Sequence, residues 1–291
     1  MEHGPIQNSN VVVMSGEARC CLPLSPPTPA ESPPVSICGH IEPLDLEDEE
    51  EQQLPTPPGQ TEDALKTRVL DGIHVLRTQA EALTRLAALF ETHPESQYAF
   101  SEAVGAIVGA SSPQRHPGGG GGSRGKLVIC GVGKSGHIGK KLVATFQSLG
   151  IPAAFLHPTE ALHGDLGLVG AHDAFLFVTF SGKTPELLLL LPHLPASVRV
   201  IVLTARTEPG SCELLRRRPD GILLPAPVHV TEVESFGVAA PTTSTTVALA
   251  VGDALAMAVG RELHSDMSAV FARNHPGGSI GADLALRGSG S

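Results

Sequence analysis

The chain has no tryptophan and one tyrosine, and aromatic residues make up only 3% of its 291 positions. A core built from it must be filled by aliphatic side chains. Charge is also scarce, at 17% of residues against 41% hydrophobic, and no heptad pattern is sustained, which excludes a coiled coil. Five scattered cysteines are too few for a disulfide scaffold, and the 32 glycines lack the strict period of a collagen. No uninterrupted apolar run has the length of a membrane span. The most apolar stretch, 238–259, is broken by Pro241, by the hydroxyl residues Thr242 to Thr246 and by Asp253, so it reads as a buried helix. The N-terminus, MEHGPIQNSN, has neither the basic region nor the apolar core of a secretion signal. A cytosolic protein with reduced thiols and no membrane partner is expected.

Basic residues are nearly missing from the first sixty positions, where ten Asp/Glu face the single base Arg19, a balance of −9 within a net charge of −10. The rest of the chain is therefore close to neutral, which argues against a nucleic-acid surface. The same segment holds eleven of the 25 prolines. It cannot bury enough apolar surface to offset the entropy of ordering, and 1–60 is expected to be a disordered acidic tail.

From Thr61 the texture changes. Ala64, Val69, Leu70, Ile73 and Leu76, then Leu83, Leu86, Leu89 and Phe90, recur at helical spacing, and predict one long amphipathic helix over 62–92. A second helix is predicted over 98–108, so that 61–110 forms a helical segment packing on the domain downstream of it. Residues 111–125, with the glycine run 118–122, read as a flexible loop. Beyond it, short apolar runs at 127–130, 153–156, 174–180, 198–203 and 222–224 alternate with helical stretches at 135–149, 185–191, 211–217 and 242–262. Continuous apolar runs fit parallel strands covered on both faces, so 126–286 is read as an α/β domain with a doubly wound sheet of about five strands.

In such sheets ligands sit beyond the C-terminal ends of the strands. The first run leads into Gly131-Val132-Gly133-Lys134-Ser135-Gly136-His137, a glycine turn that opens a helix and offers backbone N–H groups and the positive helix end to an anion. The third leads into Ser181-Gly182-Lys183-Thr184-Pro185-Glu186, and the last long helix opens on Thr242-Thr243-Ser244-Thr245-Thr246. Three hydroxyl-rich helix starts point to a phosphorylated, hydroxyl-rich ligand, although hydroxyl residues at helix starts also serve as plain caps. Gly131, Gly133 and Gly136 satisfy a dinucleotide fingerprint, but the second run ends in His157-Pro158-Thr159-Glu160 without the acid placed for a ribose. The turn is not a Walker loop either, because Val128 stands where its first glycine is required. No histidine or cysteine spacing matches a metal site.

Taken together, Gly-Val-Gly-Lys-Ser-Gly-His-Ile-Gly at 131–139, Glu-Ala-Leu-His-Gly-Asp-Leu-Gly at 160–167, Ser-Gly-Lys-Thr-Pro-Glu at 181–186, Ala-Pro-Thr-Thr-Ser-Thr-Thr at 240–246, Gly-Asp-Ala-Leu-Ala at 252–256 and Asn-His-Pro-Gly-Gly at 274–278 resemble the SIS (sugar isomerase) domain of the arabinose 5-phosphate isomerase family, the enzymes associated with capsule and lipopolysaccharide. The resemblance covers about 61–286. It implies an aldose–ketose isomerase that interconverts D-ribulose 5-phosphate and D-arabinose 5-phosphate without a redox cofactor. By motif position it implies catalytic roles for Lys134, Glu186, Glu234 and His275. It implies substrate contacts from Gly133, Ser135, Gly136, His163, Ser181, Gly182, Lys183, Thr184, Thr242, Thr243 and Ser244. It also implies a homo-oligomer, a tetramer in the family, in which His275 serves a neighbouring subunit's site.

The chemistry accounts for that set. An enediol path needs a base to move a proton between C1 and C2, an acid to shuttle the oxygen-bound proton, and a cation facing the developing oxyanion. Glu234 or Glu186 is the expected base, His275 the shuttle or ring-opening group, and Lys134 the electrostatic stabiliser. The sequence differs from the family in four places. Lys183 stands where the loop usually carries an acid; the Glu234-to-Pro241 spacing is one residue short, which leaves Glu232 as a substitute; the glycine run and acidic tail are additional; and the two CBS modules of many members are not expected in a chain ending at Ser291. A non-catalytic SIS domain that senses a sugar phosphate is the alternative, and an oxidoreductase the remote third reading. Joint retention of Glu186, Glu234 and His275 favours catalysis.

Overall fold

A computed structural model of the chain describes residues 61–112 and 124–277, so the expected tail, the glycine run and the residues after 277 lie outside the described residues. The apolar runs form strands β1 (Leu127–Cys130), β2 (Ala153–Leu156), β3 (Ala174–Val178), β4 (Arg199–Thr204) and β5 (Ile222–Pro225). All pair in parallel in the order β2-β1-β3-β4-β5. Because side chains alternate across a strand, Leu127, Ile129, Leu176, Val178, Ile201 and Leu203 enter one core while Val128, Phe175, Phe177, Val200 and Val202 enter another. Burial on both faces explains why the runs are continuously apolar rather than alternating.

The first face is covered by helices α2 (Pro94–Ser111), α3 (Lys134–Ser148) and α8 (Thr243–Leu263), through Ile107, Leu142, Phe146, Val251 and Leu255. Helix α1 (Glu62–Thr92) lies against α2 and α8 and buries Ala82 and Leu86. The apolar α8 is thus a core helix of this layer, long enough by composition to pass for a membrane span yet packed against α1, α2 and α3. The second face takes the short helices α4 (Pro158–Ala161), α5 (Pro185–Leu190) and α6 (Glu213–Arg217).

Predicted and observed elements differ mainly at ends and in short pieces. Helix α2 begins at Pro94, where proline needs no N–H partner and His93 Nδ1 accepts the Ser96 N–H at 3.3 Å. Strand β3 stops at Val178, two residues short of the predicted end, although the Thr179 N–H still donates to the Leu203 carbonyl and the Phe180 carbonyl accepts the Ala205 N–H before the loop at 181–184 opens. Residue 111, assigned to the glycine-rich loop, is the last of α2. Helices α7 (Glu232–Phe236) and α9 (Met267–Asn274) are not predicted. Both are too short to show a period, and each is set by a local cap instead: Thr231 with Glu234 in a reciprocal capping box for α7, and Asp266 accepting the Ala269 N–H at 2.9 Å for α9.

Candidate functional site

The strand order reverses between β1 and β3, and the crevice outside their C-terminal ends is where such a fold leaves room for a ligand. A cavity of about 530 Å³ opens there. Its floor is made by strand ends: Val132 after β1, Val178 to Phe180 at β3, Leu203 to Ala205 at β4 and Ala226 after β5. Lys134 and Ser135 enter from the first turn of α3, Thr231 to Val233 from α7, and Ser244 and Thr245 from α8.

The glycine turn permits that approach. A Cβ on Gly136 would stand 2.8 Å from the Gly131 carbonyl oxygen, so the first turn of α3 closes directly onto the backbone leaving β1. The turn thereby delivers Lys134 and Ser135 to the cavity edge.

Glu232 is the carboxylate that lines the cavity among the described residues, and it is buried. Its Oε1 accepts the backbone N–H of Thr242 at 3.3 Å, that of Ser244 at 2.9 Å and the Ser244 hydroxyl at 2.5 Å. The residue thus caps α8 from outside that helix. Burial pushes its carboxyl pKa up, but the hydrogen bonds from Ser244 and Thr242 outweigh it and hold the group below the usual carboxylate range. Two of the residues expected to contact the substrate, Thr242 and Ser244, therefore have their N–H groups met by the chain's own anion. Thr242 and Thr243 hydroxyls are buried without a hydrogen-bond partner, and the Thr245 and Thr246 hydroxyls donate to the Thr242 carbonyl.

Glu234, two residues on, does not line the cavity. Its Oε2 accepts the Thr231 N–H at 3.0 Å and the Thr231 hydroxyl at 2.8 Å, which lowers its pKa at an exposed position. The half-buried Glu186, in the first turn of α5, does not line the cavity. His163 is exposed in the connection after α4 and lies outside it too.

The loop 181–184 flanks the cavity behind Thr179 and Phe180. Thr179 and Thr184 share a hydroxyl–hydroxyl bond of 2.8 Å, the Gly182 N–H donates to Thr179 Oγ1 at 3.3 Å and the Lys183 N–H to Ser181 Oγ at 3.2 Å. Gly182 has φ +68°, and a Cβ there would lie 2.5 Å from Cys212 Sγ, so only glycine fits. From β4, the Thr204 hydroxyl donates to the Phe180 carbonyl at 3.0 Å and Arg206 Nε to the Ser181 carbonyl at 3.3 Å. Thr179, Thr204 and Arg206 were not singled out in the sequence. The signal was present: each is a polar residue at or just past the end of an apolar strand run.

His275 comes directly after α9, at the far end of α3. Its Nε2 pairs with Ser148 Oγ at 3.2 Å, Nδ1 with the Phe271 carbonyl at 2.8 Å, and its ring stacks on Phe271 with centroids 3.9 Å apart. Lys134 and Ser148 are the first and last residues of α3, so at 1.5 Å per residue His275 sits about 20 Å from the Lys134 end.

A parallel sheet in this order, with a glycine turn after β1 that brings Lys134 and Ser135 to the cavity and a hydroxyl loop after β3 that flanks it, defines a doubly wound α/β class of domain with its cavity at the point where the strand order reverses. The SIS domain family matches residues 123–258, and the chain belongs to it. Over 164 residues, 56% of its length, it is 42% identical to arabinose 5-phosphate isomerase KpsF of Escherichia coli. That stretch is 50% of the relative, so the chain spans about half the length of the curated relatives it matches. A crystal structure of a candidate phosphosugar isomerase involved in capsule formation from Bacteroides fragilis is 31% identical with a TM-score of 0.58, over 72% of this chain and 98% of that one. An Escherichia coli CFT073 protein solved in complex with A5P is 30% identical with a TM-score of 0.55, over 75% of this chain and all of that one.

Proposed function

We propose that the chain is a sugar-phosphate isomerase that interconverts D-ribulose 5-phosphate and D-arabinose 5-phosphate through an enediol. The observation that carries this reading is the meeting of Lys134, a buried ionised Glu232 and strand-end hydroxyls in one cavity, in a chain similar to isomerases of that name. Glu232 rather than Glu234 or Glu186 is assigned as the base. Its Oε1 is held by Ser244 and Thr242, and the other carboxylate oxygen takes the proton from C1 of the ketose and returns it to C2. Lys134, at the positive end of α3, faces the oxyanion that develops as the carbonyl becomes an enediol. The loop from Ser181 to Thr184, with the cations Lys183 and Arg206 beside it, takes the 5-phosphate. His275, at the wrong end of its own α3, is assigned to the cavity of a neighbouring copy, where it shuttles the oxygen-bound proton or opens the aldose ring. The unit is then a homo-oligomer, of tetrameric order. Cys130 and Cys212 are buried free thiols, which fits a reducing cytosol.

The test is turnover of ribulose 5-phosphate by purified protein in deuterated water, followed by NMR. Arabinose 5-phosphate is the expected product, and the fraction carrying deuterium at C2 reports how far the proton held by Glu232 exchanges with solvent before its return. Protection of the fold by arabinose 5-phosphate without turnover would establish a binding domain instead, and the absence of both turnover and protection would refute the substrate.

A further inference from the structure

Helix α7 carries Glu232 but has little of its own to hold it. It is five residues long, and Glu232 is its buried residue; the remaining four are exposed or half-buried. It lies in the connection of 226–242 that runs from β5 to α8 across the mouth of the cavity, where Thr231, Glu232, Val233, Ala239 and Pro241 all contribute lining. On the inner side it is fastened by Glu232 itself, through Thr242 and Ser244. On the outer side a residue 161 positions earlier reaches it. His74, from the middle of α1, donates from Nε2 to the Ser235 carbonyl at 2.8 Å. Its ring also meets Phe236 edge to face, with centroids 5.6 Å apart and planes at 74°. Helix α1 is itself anchored farther along, where Ala82 and Leu86 are buried in the core shared with α8.

We infer that His74 is a positioning residue for the proposed reaction: the N-terminal helix clamps α7 from outside and thereby sets where the Glu232 carboxylate stands in the cavity. The inference rests on the assignment of Glu232 as the base. A hydrogen bond at an exposed site contributes little to global stability, whereas a small displacement of a reacting group is costly to rate. The clamp therefore acts on turnover more than on folding. It also gives the helical segment before the sheet a part in the site, beyond covering the core.

Three variants separate its parts. His74→Ala removes ring and donor, His74→Phe keeps the ring against Phe236 without the N–H, and His74→Gln keeps an N–H donor without the ring. Two readouts are needed: kcat and KM for ribulose 5-phosphate, and hydrogen exchange of the α7 amides of Ser235 and Gly237, whose bonds to the Thr231 and Val233 carbonyls report that helix. Expected are a kcat about tenfold lower in the Ala and Phe variants with KM little changed, recovery in the Gln variant, and faster α7 exchange in Ala and Phe at an unchanged melting temperature. Unchanged α7 exchange in His74→Ala overturns the clamp, whether or not the wild type turns over. Faster exchange with full turnover overturns the positioning role. A wild type with no turnover refutes the proposed reaction and with it this role, while the exchange arm still decides whether α1 holds α7.

Discussion

Glu232 and Glu234 are two residues apart and live in opposite settings. One is buried beneath the start of α8 with its oxygen aimed at three donors; the other closes an exposed capping box on its own helix. Glu232→Gln is expected to lower kcat by on the order of 10²- to 10³-fold with little change in KM, while Glu234→Gln costs less than about tenfold; steady-state kinetics on both variants checks this. The pH dependence has a definite sign. The folded pKa of Glu232 lies below its ordinary value of 4.5, so its stabilising contribution is complete above that pH and is lost as pH falls through the folded value. Urea unfolding between pH 6 and pH 3 should show a steeper acid loss for wild type than for Glu232→Gln, and the acid limb of kcat/KM should lie below pH 4.5. Gly182→Ala is a separate case. It must adopt a left-handed backbone and meet Cys212, which is expected to destabilise the protein by on the order of 2 kcal/mol or more, read as a lowered urea midpoint. From sequence the two glutamates cannot be ranked, because their difference is which way a five-residue helix faces.

At the scale of elements, length decided what was legible. The 31-residue α1 shows its period over eight turns and its bounds agree with the prediction, and the strands announce themselves as apolar runs. Helices α7 and α9 are specified by a capping box and by a single capping residue, signals too local to stand out in a pattern search. Close packing between elements is likewise invisible in the chain. Gly252 on α8 looks like an isolated helix-weakening residue, yet a Cβ there would run into the Leu142 side chain of α3. Gly252→Ala trades a gain in helix propensity of about 1 kcal/mol for a clash that overpacks the core by about 1–3 kcal/mol. Net loss of stability is expected, seen as a lower melting temperature. Since α3 and α8 bring Lys134 and Ser244 to the same cavity, KM should rise with it.

At the scale of the whole molecule, one chain holds the cavity and the proposed shuttle at opposite ends of α3. If His275 serves a neighbour, Glu232→Gln and His275→Ala variants, each nearly inactive alone, should recover up to about a quarter of wild-type activity when co-assembled, because some sites then combine an intact glutamate with an intact histidine. Size-exclusion chromatography of each variant controls for assembly. The sequence by itself determined the layers: which runs are strands, that they are parallel and covered on both faces, and that glycine and hydroxyl residues gather at the strand ends. Those properties derive from local periodicity and backbone sterics, which any short window of the chain contains. Tertiary structure alone decided that the α8 start is capped by Glu232 rather than left open to an anion, that α1 reaches α7 through His74, and that His275 lies far from Lys134. Each of these depends on directions set by packing between residues ten or more positions apart, and no periodicity encodes a direction.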